Sequence, residues 1–174
     1  LLSINTFSMN PERTGEKLNA LFPLFLAEIS SWLAGGKPAW ISGVGASTGK
    51  DPLSVTEQQA AIYAESSIAA MKRHGLPGAL WWCYSDYVNR FWENAPFDIN
   101  PHEMSCGVFR SDGAPKETAV MLAETDRKPG NSATPRDWID IGPEEYRLDP
   151  PGQMRRLFSR FRELSPGQLA RKRE

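Results

Sequence analysis

Aromatic and acidic side chains concentrate in one stretch of the second half of the sequence. The aromatic members are Trp82, Tyr84, Tyr87, Phe91 and Trp92. Aromatic faces pack against the apolar faces of pyranose rings, and Trp and Tyr also carry a polar edge. Two carboxyl groups follow in the same stretch, Asp86 and, next to His102, Glu103. We expect Asp86 to accept from a sugar hydroxyl or a loop amide, and Glu103 to face the cleft or to pin its own loop.

A glycine-rich run superficially resembles a phosphate-binding loop. It reads Gly43-Val44-Gly45-Ala46-Ser47-Thr48-Gly49-Lys50. A P-loop needs Ser or Thr directly after its lysine and a helix that opens there. Here Asp51 follows the lysine, and no helix pattern starts at that point. The run therefore argues against nucleotide binding.

The composition limits the class of protein. The chain has 174 residues, which is room for one domain, and its 40% hydrophobic and 24% charged residues exclude wholesale disorder. The formal net charge of −1 argues against a basic nucleic-acid binder. No run of about 18 apolar residues predicts a membrane span. Cys83 and Cys106 are too few for a disulfide scaffold or a zinc site, so we predict buried thiols and neither a metal nor a cofactor.

Three apolar segments alternate with helical patterns. The segments span residues 1–4, 38–44 and 78–84, and the helical patterns run from about 15 to 33, from 54 to about 74, and from 115. Pro23 predicts a kink or a restart in the first helix, and Ser54 with Glu57 predicts a capping box for the second. Helices between apolar strands imply a parallel sheet. We therefore predict an α/β fold with its chemistry beyond the carboxyl ends of the strands.

The two ends of the chain give further expectations. The first residues look like the middle of a strand and no leader is visible, so we expect part of a longer protein and favour a cytoplasmic location. A Pro/Gly/Ser linker begins at Lys128, and an amphipathic helix follows it. The apolar face of that helix consists of Met154, Leu157, Phe158, Phe161 and Leu164. We expect this face to pack on the domain and the arginines to be solvated, and we divide the chain into residues 1–127 and 128–174.

Several segments, in this order, resemble the C-terminal part of a cellulase-like (family 5-type, clan A) glycoside hydrolase. The run KPAWISGVGAS resembles the seventh strand of that barrel, GALWWCYSDY the eighth, and PFDINPHEMSCGVFRSDGAPK the long loop after it. DWIDIGPEEY resembles an extension seen in bacterial members. The resemblance implies a partial TIM (β/α)8 barrel, made of the last three β/α units and a C-terminal helical extension. A missing N-terminal half or a partner chain would complete it.

The resemblance also implies what the site lacks. Retaining glycosidases use two carboxyl groups about 5 Å apart. The family's nucleophilic Glu closes strand seven, where this sequence has Gly43, and its acid/base Glu lies on strand four, outside this sequence. A motif like H-x-Y ends strand six, where Asn5-Thr6-Phe7 stands here. Asn5 keeps hydrogen bonding without charge, and Phe7 keeps a ring without the hydroxyl.

Trp81 and Trp82 are neighbours on a predicted strand, so their side chains should point to opposite faces. The resemblance assigns Trp82 to the sugar-binding cleft and Trp81 to the core. The predicted substrate-binding set is Asn5, Phe7, Trp82, Asp86, Trp92 and Glu103, with no intact catalytic carboxylate. We interpret the chain as a glycoside hydrolase-type protein that acts on or binds β-linked oligo- or polysaccharides. The alternatives are a non-catalytic carbohydrate-binding barrel and a scaffold that docks a partner through the basic C-terminal helix.

Overall fold

A three-stranded parallel sheet lies at the centre of the fold. The computed structural model describes residues 2–7, 17–125 and 136–170. The strands, in the sheet order β1-β2-β3, are β1 at Leu2–Phe7, β2 at Ala39–Gly45 and β3 at Ala79–Trp81. The helices are α1 at Phe22–Leu33, α2 at Glu57–Arg73, α3 at Glu117–Glu124, α4 at Pro143–Leu148 and α5 at Pro150–Ala170. The predicted α/β class and the adjacent parallel strands are confirmed.

The strand register brings the three carboxyl ends to one edge of the sheet. In the first pair, an irregularity after Ile4 places Asn5 opposite Gly43. In the second pair, Val44 lies opposite Trp81. Because parallel strands end at the same edge, the segments that follow β2 and β3 leave the sheet side by side.

The third strand is shorter than the predicted run of residues 78–84. Beyond Trp82 the chain turns away from β2 and pairs with its own return segment. The amide of Cys83 donates to the carbonyl of Cys106 over 3.1 Å, and the amide of Phe109 donates to the carbonyl of Tyr84 over 3.0 Å. The apolar run is therefore continuous in sequence but divides its hydrogen bonds between the sheet and the long loop.

Two helix starts also differ from the prediction. Helix α1 begins at Phe22, so Pro23 falls in its first turn, where proline needs no kink because that amide would have no helical partner. The capping box of α2 is formed by Thr56 and Gln59, whose side chains bond each other's backbone amides over 3.1 and 3.0 Å. Ser54 is occupied elsewhere, in a polar loop described below.

The start of α3 differs from the prediction, whereas the ends of α1 and α2 agree with it. Helix α3 begins at Glu117, with Lys116 rather than Pro115 at its border. The predicted glycine stops are confirmed: Gly35 and Gly36 follow α1 with φ of 67° and 87°, and Gly75 follows α2 with φ of 70°. These left-handed backbone angles favour glycine because they would strain a residue with a Cβ atom.

The C-terminal segment packs on α1 through an aromatic cluster. Its members are Phe22, Phe25, Trp138, Phe158 and Phe161, with ring centroids 5.0 to 6.1 Å apart. Beside it the Arg136 guanidinium donates to the Glu28 carboxylate over 3.1 Å. The predicted apolar face is confirmed at Leu157, which is fully buried, and at the two phenylalanines of α5. The side chain of Leu164 and the proposed boundary at residue 127 lie outside the part of the structure that is described.

The described residues contain neither a candidate membrane-spanning helix nor a candidate metal-binding group of side chains. Over residues 2–7, 17–125 and 136–170, none of the helices combines the length and the apolarity needed to cross a bilayer. In the same residues, no three His, Cys, Asp or Glu side chains are grouped as a metal ion would require.

Candidate functional site

The candidate site is formed by the segments that leave the carboxyl edge of the sheet. The amide of Trp82 still donates to the carbonyl of Val44 over 2.8 Å, which keeps the residue beside β2. The amide of Thr48, in the loop after β2, donates to the carbonyl of Ser105 over 3.0 Å. These two bonds hold the loop after β2 and the long loop after β3 against each other.

Trp82 and Glu103 meet at this edge. The indole Nε1 of Trp82 donates to Oε2 of Glu103 over 3.2 Å, and the other carboxylate oxygen lies 3.8 Å from Nε2 of His102. Trp82 remains 39% exposed. The structure thus brings two predicted site residues together, with the polar edge of the indole held and part of the ring open to solvent.

Trp81 turns the other way, toward the helices. Its ring centroid lies 6.1 Å from that of Tyr63 on α2, and it lines an apolar groove with Ile68, Met71 and Leu122. Trp81 is half-buried and packs against the hydrophobic core. The alternation expected of a strand therefore separates the two tryptophans as the sequence predicted.

Asp86 is bound within the protein. Its Oδ1 accepts from the backbone amide of Gly107 over 2.9 Å and from Nζ of Lys116 over 2.7 Å. Lys116 is 3% exposed, so the two charges form a buried pair. Of the two partners expected for Asp86, a loop amide is present, and the lysine is a third that the sequence analysis did not anticipate.

A second polar group stabilises the loop after β2. The carboxylate of Asp51 accepts from the hydroxyls of Ser47 and Ser54 and from the amide of Leu53. Burial alone would raise the pKa of Asp51, but these hydrogen bonds outweigh it and lower the pKa below its usual value. The loop that contains the glycine-rich run is therefore held together by hydrogen bonds among its own side chains. In this respect it differs from a loop that cradles a phosphate.

Trp92 stands on a separate part of the long loop. It follows a short 3-10 helix at Asn89–Phe91, and its Nε1 donates to the carbonyl of Tyr87 over 3.1 Å. The side chain is 42% exposed. Among the described residues, the hydrogen bonds of Trp92 and of Asp86 go to partners other than the Trp82–Glu103 pair.

Asn5 and Phe7 are located by their backbone in β1. Asn5 pairs with Gly43, and Phe7 with Gly45 at the end of the strand. Gly43 itself is buried within β2. Gly43, to which the family resemblance assigns the nucleophile position, thus lies in the sheet near its carboxyl edge.

Burial disfavours the thiolate form of both cysteines. Both thiols are free, and Cys106 is fully buried while Cys83 is half-buried. Burial, followed by the charge of Asp86, raises the pKa of Cys83, and burial followed by the charge of Glu103 raises the pKa of Cys106 strongly. A raised pKa lowers the thiolate fraction at neutral pH, so we assign neither residue to chemistry.

Two residues at the site escaped the sequence analysis, Lys116 and Gly107. A Cβ atom on Gly107 would lie 2.2 Å from the amide nitrogen of Asp86 and 2.3 Å from the carbonyl carbon of Ser85. The close approach of backbone to backbone requires glycine here. For Lys116 the available signal was its place between a turn and a short helix, which is more often the place of a solvated cation.

Comparison with known proteins gives matches in structure alone. The sequence matches no protein-family model and no curated protein. A GH5_18 protein from Streptomyces cattleya, solved in complex with GlcNAc, matches with a TM-score of 0.60 and 24% identity over 77% of this chain and 32% of its own. A GH5_18 protein from Bifidobacterium longum subsp. longum matches with a TM-score of 0.58 and 25% identity over 76% of this chain and 32% of its own.

Two further structural matches are a protein solved with a disaccharide and a β-glucuronidase. A variant of the Streptomyces cattleya protein, solved in complex with Manβ1-4GlcNAc, matches with a TM-score of 0.55 and 23% identity over 74% of this chain and 32% of its own. A β-glucuronidase from Bifidobacterium dentium matches with a TM-score of 0.52 and 20% identity over 70% of this chain and 20% of its own. This chain therefore spans about a third of the length of the GH5_18 proteins, and its fold is glycoside hydrolase-like.

Proposed function

We propose that this chain is the C-terminal part of a (β/α)8 barrel that binds a β-linked oligosaccharide. The N-terminal half of the same protein, or a partner chain, supplies the remaining strands. The observation that carries the proposal is the exposed indole of Trp82, held through Nε1 by Glu103 at the carboxyl edge of a parallel sheet. An aromatic face with a carboxylate at its edge offers a sugar both a stacking surface and a hydrogen-bond acceptor.

We infer further that this copy does not form a glycosyl-enzyme at β2. A retaining mechanism needs a carboxylate that attacks the anomeric carbon. Gly43 stands at the position that the family resemblance gives to this group, and glycine has no side chain. The carboxylate of Asp86 is paired with Lys116, which favours a structural role for it over nucleophilic attack.

The scaffold alternative receives less support. The basic face of α5 is partly used within the fold, because Arg156 donates to both carboxylate oxygens of Asp140 over 2.9 and 2.8 Å. Arg160 contacts the same carboxylate at 3.0 Å and donates to the carbonyl of Trp138 over 2.9 Å. These arginines fasten α5 to its own chain.

The experiment is a calorimetric titration of the complete gene product with Manβ1-4GlcNAc and with cellobiose. Manβ1-4GlcNAc is chosen because a structural neighbour was solved with it. We expect saturable binding of at least one disaccharide, weakened by Trp82→Ala and unchanged by Leu148→Ala, which trims an exposed side chain of α4. The absence of binding to a panel of β-linked gluco- and manno-oligosaccharides would overturn the proposal, as would equal binding by the two variants.

A further inference from the structure

A buried lysine joins the loops that flank the candidate site. Lys116 precedes α3 and is 3% exposed. Its Nζ donates to Oδ1 of Asp86 over 2.7 Å, to Oγ1 of Thr48 over 2.8 Å and to the carbonyl of Ser105 over 3.2 Å. An ammonium group has three donor protons, so these acceptors account for all of them.

The three acceptors lie on three different segments of the chain. Thr48 follows β2, Asp86 follows β3, and Ser105 ends a 3-10 helix at Pro101–Ser105. Removing a charge from water is costly, and only several well-placed partners offset the cost. The geometry around Lys116 therefore fixes these three segments relative to one another, and we call the four residues the lysine clamp.

The lysine clamp is connected to Trp82 through Glu103, the residue that accepts the hydrogen bond of the indole. Glu103 lies in the same 3-10 helix as Ser105, two residues earlier. Thr48 strengthens the attachment of that helix, since its hydroxyl and its amide both donate to the Ser105 carbonyl, over 3.3 and 3.0 Å. The place of the Glu103 carboxylate relative to β3 thus depends on contacts that converge on Ser105.

We propose that Lys116 is a positioning residue for the sugar site. By binding Thr48, Asp86 and Ser105 together, it places Glu103 where the carboxylate holds the indole nitrogen of Trp82, and so it fixes the orientation of the stacking face. The effect on sugar affinity rests on the proposed function, whereas the effect on the Trp82–Glu103 hydrogen bond does not.

The test compares variants of the complete gene product labelled with 15N. The readout is the indole N–H resonance of Trp82, assigned by its loss in Trp82→Phe, and the reference for a broken Trp82–Glu103 bond is Glu103→Leu, which removes the acceptor oxygens. The main variant combines Lys116→Met with Asp86→Asn, because Lys116→Met alone would leave an unpaired buried carboxylate. Thr48→Val removes one acceptor of the clamp and buries no unpaired charge. Arg147→Met is the control, since it deletes an exposed cation of α4 that pairs with Glu144 and contacts none of the clamp residues.

We expect the double variant to move the Trp82 resonance toward its position in Glu103→Leu and to weaken disaccharide binding about tenfold, which corresponds to about 1.4 kcal/mol. Thr48→Val should shift the resonance in the same direction by less, and it decides the question if the double variant does not fold. Arg147→Met should leave both readouts unchanged. A folded double variant, or Thr48→Val, with the wild-type resonance would overturn the positioning role. If the wild type binds no sugar, the proposed function is wrong. The Trp82 resonance of the variants then still tests the positioning role of Lys116.

Discussion

Asn5 of β1 lies directly opposite Gly43 of β2 in the parallel sheet. These are two of the positions at which the sequence departs from the glycoside hydrolase pattern that it resembles. The strand register makes them neighbours near one edge of the sheet. Under the proposed assignment of Gly43, a single part of the site lacks both the nucleophile and one of its supporting residues. This relationship leads directly to a test of activity.

The wild-type protein should not hydrolyse aryl β-glycosides above background, because Gly43 supplies no nucleophile. Gly43→Glu, made in the complete gene product, should give measurable release of the aryl group where the remaining strands provide a general acid. Gly43→Gln is the matched control, because it has the size of Glu without the charge. Robust turnover by the wild type would contradict the assignment of Gly43.

Trp82→Ala and Trp81→Ala should have separate effects. Trp82→Ala should weaken disaccharide binding about fivefold to tenfold, because a stacked ring is worth roughly 1 kcal/mol, and it should leave the melting temperature nearly unchanged. Trp81→Ala should lower the free energy of unfolding by about 2 kcal/mol, less than the roughly 3–5 kcal/mol typical of buried aromatic residues, because Trp81 is only half-buried. Titrations and thermal melts measure both. Loss of binding in Trp81→Ala at unchanged stability would mean that the two roles are reversed.

Gly107→Ala should destabilise the fold by about 3 kcal/mol or more, the upper range for overpacking. Its Cβ atom would meet the backbone of Ser85 and Asp86, which cannot yield as a flexible side chain would. Gly78→Ala is the control, because a Cβ atom there meets nothing within 4 Å. Urea denaturation of the two variants gives the comparison. Equal stability of the two would show that the backbone contact at Gly107 is absent in solution.

The stability of the protein should fall as the pH drops below about 6.5, in part because of His74. Burial lowers the pKa of His74, despite the opposing charge of Glu28. Below its ordinary pKa the unfolded chain therefore binds a proton that the folded chain does not, so the stabilisation is present above about pH 6.5 and is lost as pH falls through the folded pKa. Thermal melts from pH 7.5 to 5 should show a smaller loss for His74→Asn than for wild type. Parallel curves would rule out this contribution.

The sequence predicts much of the fold because local patterns control it. The order of strands and helices and the glycine stops after α1 and α2 follow from periodicity and backbone preference. The capping box shows the limit of such reasoning: Ser54 with Glu57 and Thr56 with Gln59 have similar patterns, and the choice depends on Asp51, which engages Ser54.

The sequence predicts the side-chain directions in the candidate site that follow from a single strand. It does not predict the contacts that form where several segments meet. The alternation of β3 continues into Trp82 and separates it from Trp81, and the resemblance then selects the exposed one. The role of Lys116 depends on acceptors 11, 30 and 68 residues away in sequence. Burial of a lysine at such contacts is a property of the assembled loops, which no local pattern indicates.

The aromatic cluster between α1 and the C-terminal segment has a consequence for how the protein melts. Phe22 and Phe25 are covered by Phe158, Phe161 and Trp138, so the segment cannot detach without exposing the inner helix to water. The energetic cost of opening that contact couples the two regions. We therefore expect residues 136–163 and α1 to lose their structure in one cooperative transition, with the heat absorption of the two regions coinciding in calorimetry.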